Sequence, residues 1–238
     1  MFTTTATLTY KYDSPSGSTS YLLFQPIESF SFSEGQFVMI ETHLHGKLTK
    51  KPYSIATTHR MLVEEKLVWV VVKKTSENGM SDYLTQKIQV GDTVTLKWPV
   101  GHYVDPETSK NYLLISTGSG LSPNVGVFHH LVYERQDHGK IVHLYGERYT
   151  DDLIPEIQTI LTAQSNKHIQ TICYLSREAT PPHGYRAGHV QDGLVEAVDR
   201  VWTDATCFVC GSPAMVTDVV EKLQLLGIPN EQIITEKY

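Results

Sequence analysis

Apolar and polar positions change rhythm near the middle of the chain. Up to about residue 100, short segments rich in Val, Ile, Thr and aromatics recur: Ala6–Tyr12, Ser20–Pro26, Gln36–Thr42, Tyr53–Thr58, Leu67–Lys74 and Thr93–Lys97. Turn formers separate them at Pro15-Ser16-Gly17, Ser33-Glu34-Gly35, Asn78-Gly79 and Gly91-Asp92. Short strands with this punctuation predict a small antiparallel sandwich or barrel. One helix is expected at Ser81–Lys87, where the Ser81 hydroxyl can cap the first turn.

Beyond Pro106 strand and helix alternate. Strands are expected at Asn111–Ser116, Lys140–Tyr145, Ile169–Leu175 and Cys207–Cys210, and helices at Pro123–Arg135, Thr150–Ala163, Val190–Val198 and Ala214–Leu226. Four such alternations predict an α/β doubly wound parallel sheet. The polar, turn-prone run Asp105-Pro106-Glu107-Thr108-Ser109-Lys110 separates the two patterns. The expected division is therefore two domains: an N-terminal antiparallel β-barrel over 1–105 and the α/β domain over 106–238.

Composition narrows the class. Of 238 residues, 40% are hydrophobic and 19% charged, enough apolar surface for two cores. Twenty Lys and Arg against 26 Asp and Glu give a net charge of −6, which argues against nucleic-acid binding. The first 105 residues are neutral, so the whole excess lies in the second half. Three cysteines are too few for a disulfide framework or a four-cysteine iron–sulfur cluster. With no apolar run of membrane-spanning length and no basic, apolar leader, the chain is expected to be cytoplasmic and free of membranes.

Parallel sheets bind ligands at the carboxyl ends of their strands, so those loops are the first candidates. Thr117-Gly118-Ser119-Gly120-Leu121-Ser122-Pro123 runs from a strand into a helix. Its glycines allow close backbone approach to a phosphate, and the N–H groups opening the helix face an anion. Ser176-Arg177 follows the third parallel strand, where a hydroxyl and a guanidinium suit a phosphate monoester such as the 2′-phosphate of NADP. Cys207 and Cys210 are three apart on a strand and so face opposite ways, which disfavours a redox or zinc pair. No histidine stands in a HExxH arrangement, and no metal site is expected. Lys47, Lys50, Lys51, Lys73 and Lys74 form either a basic docking surface or an ordinary solvated face.

Taken in order, five short motifs resemble those of the ferredoxin–NADP reductase family. Lys51-Pro52-Tyr53-Ser54 is similar to its R-x-Y-S flavin motif, and Gly79-Met80-Ser81 to its second flavin-phosphate motif. Gly118-Ser119-Gly120-Leu121-Ser122-Pro123 is similar to the nicotinamide-nucleotide loop, and Cys210-Gly211-Ser212-Pro213-Ala214-Met215 to the C-G-x-P-x-M turn. The ending Thr235-Glu236-Lys237-Tyr238 is similar to the Glu-x-Tyr terminus of plant-type members.

The resemblance implies FAD and NADPH as cofactors. Tyr53 would lie against the flavin ring, Ser54 near its N5, and Lys51 on a cofactor phosphate in place of the family's Arg. Gly79, Met80 and Ser81 would hold the pyrophosphate. Thr117, Gly118, Gly120, Pro123 and Gly211 would form the dinucleotide cradle. Ser176 and Arg177, with Arg186 as a second cation, would hold the 2′-phosphate. Ser54, Cys210 and Glu236 would align the two rings, and Tyr238 would cover the flavin. The implied activity is hydride transfer between NADPH and FAD, with single electrons passed to ferredoxin or flavodoxin. Alternatives are a flavin or small-acceptor reductase and a reductase subunit of a multicomponent oxygenase. The chain is expected to be a monomer or weak dimer.

Overall fold

The computed structural model describes residues 2–28, 30–101, 109–135, 138–154, 157, 160–161, 167–202 and 204–237. The first sheet comprises β1 (Phe2–Asp13), β2 (Thr19–Pro26), β3 (Phe37–Leu44), β4 (Lys47–Ser54), β5 (Val68–Lys73) and β6 (Thr93–Val100). These are ordered β4-β3-β6-β1-β2-β5, and their pairings are antiparallel. Two short helices complete this half: α1 (His59–Glu65), and α2 (Met80–Asp82), which continues as a wider turn over Tyr83–Lys87.

The second half carries β7 (Tyr112–Thr117), α3 (Leu121–His129), β8 (Ile141–Glu147), β9 (Ile169–Leu175), β10 (Tyr185–Ala187), α4 (Leu194–Val201), β11 (Thr206–Gly211), α5 (Pro213–Leu225) and β12 (Ile233–Lys237). Its strands are all parallel, in the order β10-β9-β8-β7-β11-β12. The barrel-plus-parallel-sheet fold expected from the hydrophobic rhythm is the fold observed. The expected 105/106 border lies outside the described residues.

Three differences have local causes. The fourth strand, expected at Tyr53–Thr58, runs from Lys47 to Ser54, paired with β3 from Leu44↔Lys47 to Phe37↔Ser54. Its two-residue turn, His45-Gly46, has positive φ at both positions (52° and 76°), as a tight hairpin requires. As an edge strand with most side chains exposed, it has no alternating apolar pattern to betray it. Residues 55–58 are instead irregular and lead into α1, capped by Thr58, whose Oγ1 accepts from the Met61 N–H at 3.2 Å. Of the helix expected over Thr150–Ala163, Thr150–Asp152 is a tight 3-10 turn and Ile157, Ile160 and Leu161 are helical.

Strand β5 joins the halves. Val68, Val70 and Val72 point into the barrel core, while Trp69 and Val71 pack into the cluster around α3. Strand alternation puts Lys73 on the second side with them. The buried face of the parallel sheet shared with α3 holds Leu114, Tyr145, Phe208 and Cys210, and the opposite face holds Ile115, Leu144, Cys207 and Val209. Cys207 and Cys210 thus face opposite ways. No helix among the described residues is long and apolar enough to cross a membrane.

Candidate functional site

At the carboxyl end of β7 the chain turns through Gly118–Gly120 into α3. Gly118 has φ of +56°, a left-handed conformation costly for other residues. Gly120 lies against β11: a Cβ there would sit 2.6 Å from the Cys210 carbonyl carbon and 2.9 Å from the Gly211 nitrogen. At Gly120 the loop therefore packs directly on β11, with no room for a side chain. Beside it is a cavity of about 410 Å³ whose walls include Thr117, Gly118, Ser176 and Gly211, all expected from the motifs. Lys73, Glu147, Arg148 and His189 also line it. Pro123 is buried in the first turn of α3.

The cations expected at the far end are not equivalent. Ser176 lines the cavity, and its hydroxyl donates to the Glu147 carbonyl at 3.3 Å. Arg177 follows directly, its backbone N–H bonded to the Arg148 carbonyl at 3.0 Å. Arg186 is turned to Glu196, with Nη1 2.7 Å from Oε2, and also donates to the Tyr174 hydroxyl at 3.3 Å. Unlike Ser176, it is not among the residues lining the cavity. Glu178, the acidic neighbour, accepts from the Thr150 N–H at 2.6 Å and is thereby held to the preceding loop.

On the barrel side, Lys51 and Pro52 are exposed on β4, Tyr53 is half-buried and Ser54 is buried. Burial pushes the Tyr53 phenol above its ordinary pKa. Gly79 opens α2, where Met80 and Ser81 are buried. The Ser81 hydroxyl accepts from the Thr75 N–H at 3.2 Å and lies 3.1 Å from Thr75 Oγ1. Of the five surface lysines, Lys73 pairs with Glu147, and Lys74 with Asp82 and Glu77. Lys47, Lys50 and Lys51 stay exposed on β4.

The two halves meet at Ser54. Its hydroxyl donates to the Glu236 carboxylate, 3.2 Å from Oε1 and 3.3 Å from Oε2, and its carbonyl accepts from the Ser122 hydroxyl at 2.7 Å. Glu236 on β12 is registered beside Cys210 on β11, which is fully buried. The structure thus gathers Ser54, Cys210 and Glu236, which are far apart in sequence. Tyr238 lies outside the described residues.

Burial pushes the Glu236 carboxyl up to about 7, against a smaller lowering by the Ser54 hydrogen bond. A raised carboxyl pKa means the folded chain binds the proton more tightly than the unfolded one. That contribution to stability is lost as pH rises from about 4.5 to about 7. Glu236→Gln should remove this slope: its melting temperature should change less than that of the unsubstituted chain between pH 5 and pH 8, as read by thermal unfolding.

Sequence patterns did not single out the polar contacts that seal the seam. Lys73 Nζ lies 2.9 Å from Glu147 Oε2, and the Tyr145 hydroxyl donates to Glu147 Oε1 at 3.0 Å. The Ser16 and Ser18 hydroxyls donate to Asp152 at 2.6 and 2.7 Å. The only sequence signal was that Lys73 shares the side of β5 that carries Trp69 and Val71.

Comparison with known proteins agrees with this architecture. The oxidoreductase FAD-binding domain family matches residues 14–104, and the oxidoreductase NAD-binding domain family matches 114–221. The chain is 27% identical over 224 residues to the reductase component of propane 2-monooxygenase from Rhodococcus jostii RHA1, covering 91% of this chain and 59% of that protein. It is 25% identical over 214 residues to the electron transfer component of toluate 1,2-dioxygenase from Pseudomonas putida, covering 89% and 60%. It thus spans about three fifths of these relatives' length. Among solved structures, the Amycolatopsis cytochrome P450 reductase GcoB superposes with a TM-score of 0.85 at 25% identity, covering 99% of this chain and 69% of that one. The Neisseria gonorrhoeae ferredoxin NADP+ reductase shares the fold, with a TM-score of 0.81 at 19% identity and coverage of 99% and 98%. With both domain families matched in order on this fold, the chain belongs to the ferredoxin–NADP reductase family.

Proposed function

We propose that the chain is an NADPH-dependent flavoenzyme that passes electrons from the nicotinamide donor to a one-electron protein carrier such as ferredoxin or flavodoxin. FAD, when bound, supplies the step between two-electron and one-electron chemistry, which no side chain performs. The observation that carries this reading is the Ser54–Glu236 hydrogen bond across the seam, with Cys210 beside it and the glycine-lined cavity nearby. A site to which both domains contribute could bring two cofactors together and exclude water.

On this reading Lys51, Pro52, Tyr53, Ser54, Gly79, Met80 and Ser81 hold FAD. Thr117, Gly118, Gly120, Pro123 and Gly211 cradle the nucleotide, and Ser54, Cys210 and Glu236 orient the reacting rings. Tyr238 covers the flavin until the nicotinamide arrives. The Gly118 backbone, in a left-handed turn on the cavity wall, suits a diphosphate, which supports the assignment. Ser176 and Arg177 take the 2′-phosphate. The tethering of Glu178 to Thr150 supports NADPH, because it occupies the nearby carboxylate elsewhere. Three buried cysteines outside any disulfide, Cys173, Cys207 and Cys210, fit a reducing compartment, and we place the protein in the cytoplasm.

Arg177→Ala should raise the Michaelis constant for NADPH by about tenfold or more, the value of a charge-assisted contact, and leave that for NADH nearly unchanged. Equal effects on both donors would contradict the 2′-phosphate role. The similarity to reductase and electron transfer components of oxygenase systems supports a second reading of the acceptor, in which the electrons go to an oxygenase partner. Copurification with an oxygenase chain would select it over a freely diffusing carrier.

A further inference from the structure

Away from the cofactor cleft, three side chains from both halves of the molecule converge. Glu34 stands in the tight turn before β3, where the Gln36 N–H donates to the Ser33 carbonyl at 3.1 Å. His130 directly follows α3, and Glu134 stands four residues on. All three are half-buried. His130 Nδ1 lies 3.3 Å from Glu134 Oε2 and 3.6 Å from Glu34 Oε1.

Both carboxylates address one ring nitrogen, which carries at most one proton and gives neither of them a short bond. The separations also exceed the roughly 2.7–2.9 Å of a charge-assisted N–H···O bond. The 3.3 Å contact to Glu134 is a long hydrogen bond, and the three groups taken together suit a shared cation. Zinc bonds of about 2.0–2.1 Å at tetrahedral angles place neighbouring ligand atoms about 3.3–3.4 Å apart. The three ligand atoms lie within 4.8 Å of one another. Two carboxylates and a neutral imidazole carry a charge of −2, which a divalent ion cancels. An imidazole beside two carboxylates suits zinc better than magnesium or calcium.

We infer that Glu34, His130 and Glu134 form a divalent-cation site that clamps the barrel to the helix leaving the glycine loop. Zinc is its best-matched ion, with water completing the coordination. The sequence conceals the site, because a His and a Glu four apart on a helix are common and the third ligand stands in the other half of the chain. The inference does not depend on the redox assignment.

The test is calorimetric titration of the chelator-treated, FAD-loaded chain with zinc chloride, alongside thermal unfolding. One zinc per chain is expected, with a rise in melting temperature on binding. His130→Ala, Glu134→Gln and Glu34→Gln should each weaken binding by more than about tenfold. His130→Cys should retain it, since a thiolate also ligates zinc, which separates loss of a ligand from loss of the fold. Absence of saturable zinc binding, or unchanged affinity in any of the first three variants, would overturn the site.

Discussion

Alanine at position 120 should cost the fold about 3 kcal/mol and lower the melting temperature by about 6–12 °C. The added methyl group would meet the backbone of β11, 2.6 Å from the Cys210 carbonyl carbon and 2.9 Å from the Gly211 nitrogen. A flexible side chain would swing aside, but a central strand paired on both edges will not. Strand β11 is hydrogen-bonded to β7 on one side and β12 on the other. Either β11 moves, displacing Cys210 and the registered Glu236, or the turn into α3 opens. Both outcomes damage the nucleotide cleft, so NADPH affinity should fall together with stability. Thermal unfolding and a binding titration check this together; a melting temperature within about 2 °C of the unsubstituted chain would contradict the packing argument.

Lys73→Ala should destabilise the protein by a comparable or larger amount, about 3–5 kcal/mol, because it strands a buried acid. The Glu147 side chain is 1% exposed and the Lys73 side chain 24% exposed, so the acid is desolvated with Lys73 as its counter-charge. Burial already raises the Glu147 carboxyl pKa, opposed by Lys73 and by the Tyr145 hydroxyl. Without Lys73 the carboxyl should rise further and take up a proton. A raised pKa favours the folded state at low pH, so the variant should lose stability more steeply than the unsubstituted chain as pH rises towards neutrality. Glu147→Gln in the same chain should recover much of the loss, because the stranded charge is gone while the Tyr145 contact remains. Denaturant unfolding at two pH values reads both effects. Equal stability of Lys73→Ala and the unsubstituted chain would show that the ion pair does not hold the seam.

Much of the fold was legible because both halves bury continuous apolar faces. A parallel strand covered on both sides shows as an uninterrupted apolar run, as in Tyr112-Leu113-Leu114-Ile115. Three exposed edge strands were missed or misplaced for the converse reason. Strands β4, β10 and β12 are partly or mostly exposed, and nothing in Lys47–Ser54 alternates to mark a buried face. The glycine loops were legible as backbone requirements: Gly118 needs its positive φ and Gly120 its closeness to β11.

Contacts between distant side chains were not legible. Arg186 is as good a phosphate ligand as Arg177 in sequence, until Glu196 on α4 is seen to hold it. Lys73 and Lys74 belong to a basic run in sequence, but folding commits both to carboxylates. The meeting of Ser54 with Glu236 depends on the packing of α3 against residues 54–57, which no local pattern encodes.

The central claim is that this seam brings a flavin and a nicotinamide nucleotide into contact. It is tested most directly by mixing the FAD-loaded chain with a stoichiometric amount of NADPH without oxygen and following visible absorbance. Bleaching of the flavin band by one equivalent of NADPH per FAD, much slower in a Ser54→Ala, Glu236→Gln double variant, is the expected result. Failure of the chain to retain FAD, or a flavin spectrum unchanged by both NADPH and NADH, would contradict the assignment.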